Sequence, residues 1–238
     1  MRRFSFIIGV LFLGVSNFAV SSLITYGFTG EVDFVRDATN LLDGQGIATG
    51  STFSGRFSYD TSENPKFLAR DYANYRAGGL VATLNDTFSY EAVPVGDFPS
   101  IQTYDNNPTF GDGFNYGASD GPGPLGQNTI TRFDTSFGLD QFVLQLVLLN
   151  SDTSLFSDLA LPSVLRLSDF DSTWFMISAS SSADSTNFYR IRGRLTSLGV
   201  VPLPATTWLL IAGIAGVVVT RRAAFAAKDP AADQGGAL

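Results

Sequence analysis

Alternation of large apolar and polar residues at a period of two is the feature that most narrows the fold of this chain. Tyr26, Phe28, Gly30 and Val32 alternate with Thr25, Gly27, Thr29, Glu31 and Asp33. Phe53, Gly55, Phe57 and Tyr59 alternate in the same way with Ser54, Arg56, Ser58 and Asp60. Successive side chains of a strand point to opposite faces, so this pattern buries one face and wets the other. Between the two ends of the chain no helical period is sustained over a dozen residues. Leu80–Leu84, Asn85-Asp86 and Thr87–Glu91 read as a hairpin about a two-residue turn. Phe142–Leu149 is a nearly continuous apolar run, the pattern of a central strand, and Trp174–Ser178 and Phe188–Thr196 supply two more. Turn signals recur about every ten residues, the spacing of an antiparallel sandwich or barrel. The 21 Phe and 24 Gly among 238 residues, with only 16% charged, fit an all-β chain with many tight turns. The expectation is one all-β domain over residues 22–199, an antiparallel β-sandwich of jelly-roll-like kind. A signal helix is expected before it and a transmembrane helix after it.

Cysteine and histidine are both absent. Their absence removes disulfides, thiolate metal sites and cysteine nucleophiles, together with the commonest general base and metal ligand. Serine triads of the usual kind, zinc hydrolases and cupin-type metal sites are therefore excluded.

The two ends carry export signals. Met1-Arg2-Arg3, an apolar run from Phe4 to Val15, Asn17 and then Ala19-Val20-Ser21 follow the positive, apolar, small-residue order that a signal peptidase reads. Cleavage is expected after Ser21, with Ala19 and Ser21 as the small residues read. At the other end stands Val201-Pro202-Leu203-Pro204-Ala205. Trp208, an apolar stretch from Leu209 to Val219 and Arg221-Arg222 follow it. Prolines cannot continue a helix. Trp208 suits a headgroup interface, and the arginine pair belongs on the cytoplasmic side. Ala205 to Thr220 would reach only about 24 Å as a helix at ~1.5 Å per residue. That is short for a permanent span. The expected division is a signal peptide over 1–21, a β-domain over 22–199, a sorting segment over 200–222 and a cytoplasmic tail over 223–238. With both ends removed, the 15 basic residues lose five and the 22 acidic residues lose two, leaving a net charge of −10. Such a charge repels nucleic acid and anionic lipid.

The motif, the short apolar helix and the basic pair together resemble the PEP-CTERM sorting signal in its VPLPA variant. Leu203 stands where the commoner pattern has glutamate, and residues 223–238 run on past the basic pair. The resemblance implies recognition by an exosortase in the inner membrane, cleavage near the proline motif and passage outward, often in bacteria that make exopolysaccharide. Ile24–Gly30, Phe53–Asp60, Ala160-Leu161-Pro162 with Leu167–Phe170, and Arg192–Leu198 are similar to the sandwich domain common in such proteins, for which no activity is implied.

Three constellations could carry chemistry. Asp105, Asn107 and Asp112 offer hard oxygens at close spacing, a candidate calcium site. The ordinary reading of that loop is a turn built from Asx motifs, since the EF-hand glycine and closing glutamate are missing. Residues 105–128 form the longest stretch without a clear strand. Arg190, Arg192 and Arg194 share one strand face and are a candidate ladder for a sulfated or uronic-acid glycan. The alternative is pairing with Glu31 and Asp33 on a neighbouring first strand, with Arg190 and Arg192 nearest those acids. Asp169 and Asp171 would share a face of an extended segment, the placement a glycosidase pair needs. The expected function is a non-enzymatic, exported cell-surface or extracellular-matrix protein, transiently held at the inner membrane and processed by an exosortase-type system. The alternatives are a lectin-like glycan-binding module with or without calcium, and a glycan hydrolase. Partners implied are signal peptidase, exosortase, the membrane through the C-terminal helix, and exopolysaccharide, with no nucleic acid.

Overall fold

The computed structural model describes residues 23–95, 99–120, 130–131 and 138–202. Among them the chain is all-β, with a single 3₁₀ turn at Leu167–Asp169. The strands are β1 (Leu23–Asp37), β2 (Thr52–Asp60), β3 (Phe67–Leu68), β4 (Tyr72–Arg76), β5 (Leu80–Leu84), β6 (Phe88–Ala92), β7 (Ser100–Asn107), β8 (Gly111–Asp120), β9 (Ile130–Thr131), β10 (Gln141–Asn150), β11 (Ser172–Ser180) and β12 (Phe188–Val200). They form one antiparallel sheet in the order β3-β4-β7-β8-β10-β11-β12-β1-β2-β5-β6-β9. No helix of the described residues is long and apolar enough to cross a membrane. The expected signal and transmembrane helices lie outside the described residues.

The connections force this sheet to curl. β4 and β5 stand near opposite ends of the strand order, yet only Ala77, Gly78 and Gly79 join them. In a flat sheet, eight steps of about 4.8 Å would separate them by about 38 Å. Three linking residues reach no more than about 14 Å. The flanks must therefore face each other, and the rings show that they do. Phe57 of β2 lies 5.7 Å from Phe114 of β8, and Tyr90 of β6 lies 5.6 Å from Phe142 of β10. Gly78 sits at the crossover because a Cβ there would stand 2.4 Å from Ser58 Oγ. Its N–H donates to the Ser58 carbonyl at 2.9 Å, and its own carbonyl accepts from the Tyr116 hydroxyl at 2.9 Å.

Some of the Phe and Gly residues are coupled by packing. The Phe53 ring lies over Gly30 of β1 and Gly193 of β12, and the Phe28 ring lies over Gly55 of β2. Each ring takes the space that a neighbouring strand's side chain would need. The inward residues form one core, including Tyr26, Phe28, Phe57, Tyr59, Phe114, Leu144 and Ile177.

β1 and β12 do lie antiparallel as neighbours, with Tyr26, Phe28, Gly30 and Val32 facing the core alongside Tyr189, Ile191, Gly193 and Leu195. The register sets Arg194, rather than Arg190, opposite Glu31. Both strands are longer than the alternation suggested, and bulges break the ladder between Thr29 and Gly30 and between Val32 and Phe34. β10 is central, paired to β8 and β11. The hairpin at Asn85-Asp86 turns through three residues, since Leu84 pairs with Phe88. Asn85 and Asp86 both take positive φ, at 51° and 54°. The odd loop length is what puts Phe88 and Tyr90 on the same face as Leu84 and Ala82.

Candidate functional site

Residues 105–120, expected to be loop, are the end of β7, a tight turn and all of β8. The long strand-free stretch of the described residues is instead 151–171, between β10 and β11. It is packed: Leu161, Leu165 and Phe170 are buried. Core tyrosines hold it from below. Tyr59 donates to the Pro162 carbonyl at 2.7 Å, Tyr75 donates to the Leu159 carbonyl at 2.9 Å, and the Leu165 N–H donates to the Tyr26 hydroxyl at 2.8 Å. Thr103 adds a second donor to the Leu159 carbonyl. A buried tyrosine hydroxyl needs a partner, and here the partners are loop backbone.

The three calcium candidates sit at this end of the sheet. Asp112 is fully buried, and its two oxygens accept the N–H groups of Asn106 at 2.8 Å and Phe156 at 2.7 Å. It ties the β7–β8 turn to the long loop. Asn107 Oδ1 accepts the N–H groups of Thr109 and Phe110, an Asx turn, while its amide donates to Asp71. Asp105 accepts from the Asn106 amide. Among the described residues no group of three or more acids is placed to hold a metal ion. Next to the turn is a groove of about 450 Å³ lined by Asn107, Phe110, Thr153, Asp171 and Ser172 among others. Phe110 is 45% exposed there, its ring 5.1 Å from that of Tyr104. The Asp171 carboxyl is held below the usual carboxylate range, first by the Ser151 hydroxyl and then by the Ser151 N–H.

Asp169 and Asp171 do not act as a pair. Asp169 ends the 3₁₀ turn rather than lying on an extended segment, and it lines a different groove, of about 370 Å³, with Asp158 and Arg166. Asp171 lines the groove beside the β7–β8 turn.

The arginines of β12 all point outward and are exposed. Arg192 donates to Asp33 at 3.1 Å, so the expected pairing holds for that residue. Arg190 is not beside an acid. Its cross-strand partner on β1 is Arg36, and its partner on β11 is Ser178. Arg194 lies opposite Glu31 and Trp174, with no ion pair among the described residues. Two guanidinium groups rest on rings: Arg36 lies 4.9 Å from the Phe188 ring centroid and Arg192 5.7 Å from that of Phe34.

No family model, curated protein or solved structure matches the chain.

The arginine face gains residues that the sequence reading missed, namely Arg36, Phe34, Phe188 and Trp174. Strict alternation hides them: Phe34 and Arg36 fall in phase with Tyr26 to Val32 in the sequence, and only the bulge between Val32 and Phe34 turns them outward. Of the sorting motif, Val201 and Pro202 are exposed and follow directly on β12. Leu203, Pro204, Ala205, Arg221 and Arg222 lie outside the described residues, as do Ala19 and Ser21.

Proposed function

We propose that the chain is an exported cell-surface or extracellular-matrix protein of non-enzymatic kind, sorted and processed by an exosortase-type system. The observation that carries this reading is the order Val201-Pro202-Leu203-Pro204-Ala205, apolar stretch, Arg221-Arg222, in a chain that opens on a signal-peptide pattern. The fold supports it in one respect. Tyr26 near the start of β1 pairs with Val200 at the end of β12, so the chain enters and leaves the domain at the same end of one strand pair. A domain held through both ends at one membrane can then fold without stretching either tether. β12 ends at Val200, immediately before Val201, the start of the motif. The β-domain itself we read as a jelly-roll-like sandwich, its layers being the two flanks of the curled sheet.

Intact mass of the secreted protein tests this reading. Material running from about residue 22 to about residue 203 is expected by the processing logic of such signals. Secreted protein that keeps Arg221-Arg222 would refute sorting and leave an ordinary membrane anchor.

A further inference from the structure

We propose that the outer face of β11, β12 and β1 binds a carboxylate-bearing polysaccharide, with Arg36, Arg190 and Arg194 holding its carboxylates. The decisive observation is the direct cross-strand pairing of Arg36 with Arg190. Like charges directly opposite each other weaken a sheet, whereas an opposite charge there stabilises it. Here the row runs Ser178, Arg190, Arg36 across three strands, with no acid in it. An anion bridging the two guanidinium groups would remove the repulsion, and a carboxylate presents two oxygens in the plane that a guanidinium fork matches.

The rest of the face agrees except beside Arg194, which has Glu31 directly opposite it without an ion pair. Arg190, Arg192 and Arg194 repeat along β12 at about 6.7 Å, two strand residues apart. That is a line of cations suited to a polymer with charges at intervals. Arg192 is neutralised by Asp33, which leaves Arg36, Arg190 and Arg194 without ion pairs among the described residues. Arg36 is steadied by the Phe188 ring, so less freedom is lost when it binds. Trp174 lies opposite Arg194, Met176 and Phe34 flank Arg192 on its two sides, and Phe34 is 39% exposed. Flat apolar side chains beside charge donors suit the C–H faces of sugar rings, which a duplex with its bases stacked inside does not offer. The chain as a whole carries −7, which disfavours dense polyanions at long range. At physiological salt the screening length is about 8 Å, so at contact the local arginines decide.

The proposal rests on the export reading only for where the ligand is met. Binding is measured on the full chain in detergent micelles against immobilised polygalacturonate at about 0.15 M salt, the ionic strength at which distant charges are screened. Neutral dextran, duplex DNA and phosphatidylglycerol vesicles are the comparison surfaces. Binding to polygalacturonate alone is expected. The double variant R36Q/R190Q should lose affinity by about tenfold or more, since two charge-assisted contacts go. Its melting temperature should stay level or rise as the repulsion disappears. R194Q should weaken binding less, and D33N, which frees Arg192, should tighten it. No binding to polygalacturonate, equal binding to DNA or vesicles, or affinity unchanged in R36Q/R190Q would each overturn the proposal. None of these results bears on the mass of the secreted protein, so the two readings fail separately.

Discussion

Replacing Gly30 by alanine should destabilise the domain more than almost any other single-methyl change. A Cβ on Gly30 would stand 2.1 Å from Phe53 Cζ and 2.3 Å from the Arg194 carbonyl oxygen. Turning the ring could relieve the first contact. The second cannot be relieved that way, because Arg194 belongs to β12 and the ladder fixes the separation of neighbouring strands. Overpacking a close-packed interior costs about 1–3 kcal/mol, and a clash with both a ring and a backbone oxygen belongs at the upper end, about 3 kcal/mol. For a domain of this size that is a fall in melting temperature of about 6–12 °C. Gly199→Ala is the control, since a Cβ there meets nothing within 4 Å. It should change stability by no more than about 0.5 kcal/mol. The double variant Gly30→Ala/Phe53→Leu should recover part of the loss, because the shorter side chain yields the space while the carbonyl contact remains. Thermal unfolding followed by near-ultraviolet circular dichroism reads all three. Gly30→Ala melting with Gly199→Ala would refute the account of why phenylalanine and glycine occur together here.

Alkaline pH should unfold the domain through its buried tyrosines. Burial, with Tyr26 beside it adding to the effect, raises the Tyr59 hydroxyl far above its usual range, and burial alone raises Tyr116. A raised folded value means that the unfolded chain sheds its protons first, so stability is whole below about pH 10 and falls above it, by about 1.4 kcal/mol per pH unit per tyrosine. Melting temperatures between about pH 8 and 11 should bend downward near the tyrosine value of about 10, and a level profile would count against it. Asp112→Ala strands two N–H groups, of Asn106 and Phe156, and should cost about 3 kcal/mol. Asp112→Asn, which keeps one acceptor, should cost clearly less, and denaturant unfolding that ranks the two variants equally would refute the strut role of that carboxylate.

The strands with clean alternation were legible, because one face of each is core and the other is solvent. The calcium reading of Asp105, Asn107 and Asp112 shows what was not. Polar oxygens at close spacing look alike whether they await a cation or a backbone N–H, and the choice for Asp112 is made by Phe156, distant in sequence. The same applies to residues 151–171. Nothing local shows that Pro162 and Leu159 accept from Tyr59 and Tyr75, because those contacts exist only once β2 and β4 are in place. Loops are written in the sequence as turn residues, while the ties that pack them are written elsewhere in the chain.

The β1 bulge decides what the outer face carries. Strict alternation from Tyr26 onward would turn Phe34 and Arg36 inward, and an unpaired arginine in an apolar core costs far more than a sheet can supply. Asp33 is the extra residue: Val32 pairs with Gly193 and Phe34 with Arg192, leaving Asp33 without a register partner. Val32 and Val35 then both face inward, while Asp33, Phe34 and Arg36 face out. Deleting Asp33 should therefore be tolerated. The ladder would close with Phe34, Val35 and Arg36 keeping their faces, at the loss of one half-exposed ion pair worth about 0.2–1 kcal/mol. Deleting Glu31 should not be tolerated. It would throw Val32 outward or drag the bulge out of place, since a one-residue slip reverses every side chain beyond it. Secreted yield and melting temperature of the two deletion variants compare them directly. If the Asp33 deletion unfolds the domain as fully as the Glu31 deletion, the bulge is holding the twist of β1 rather than its phase, and the facing of Arg36 needs another cause.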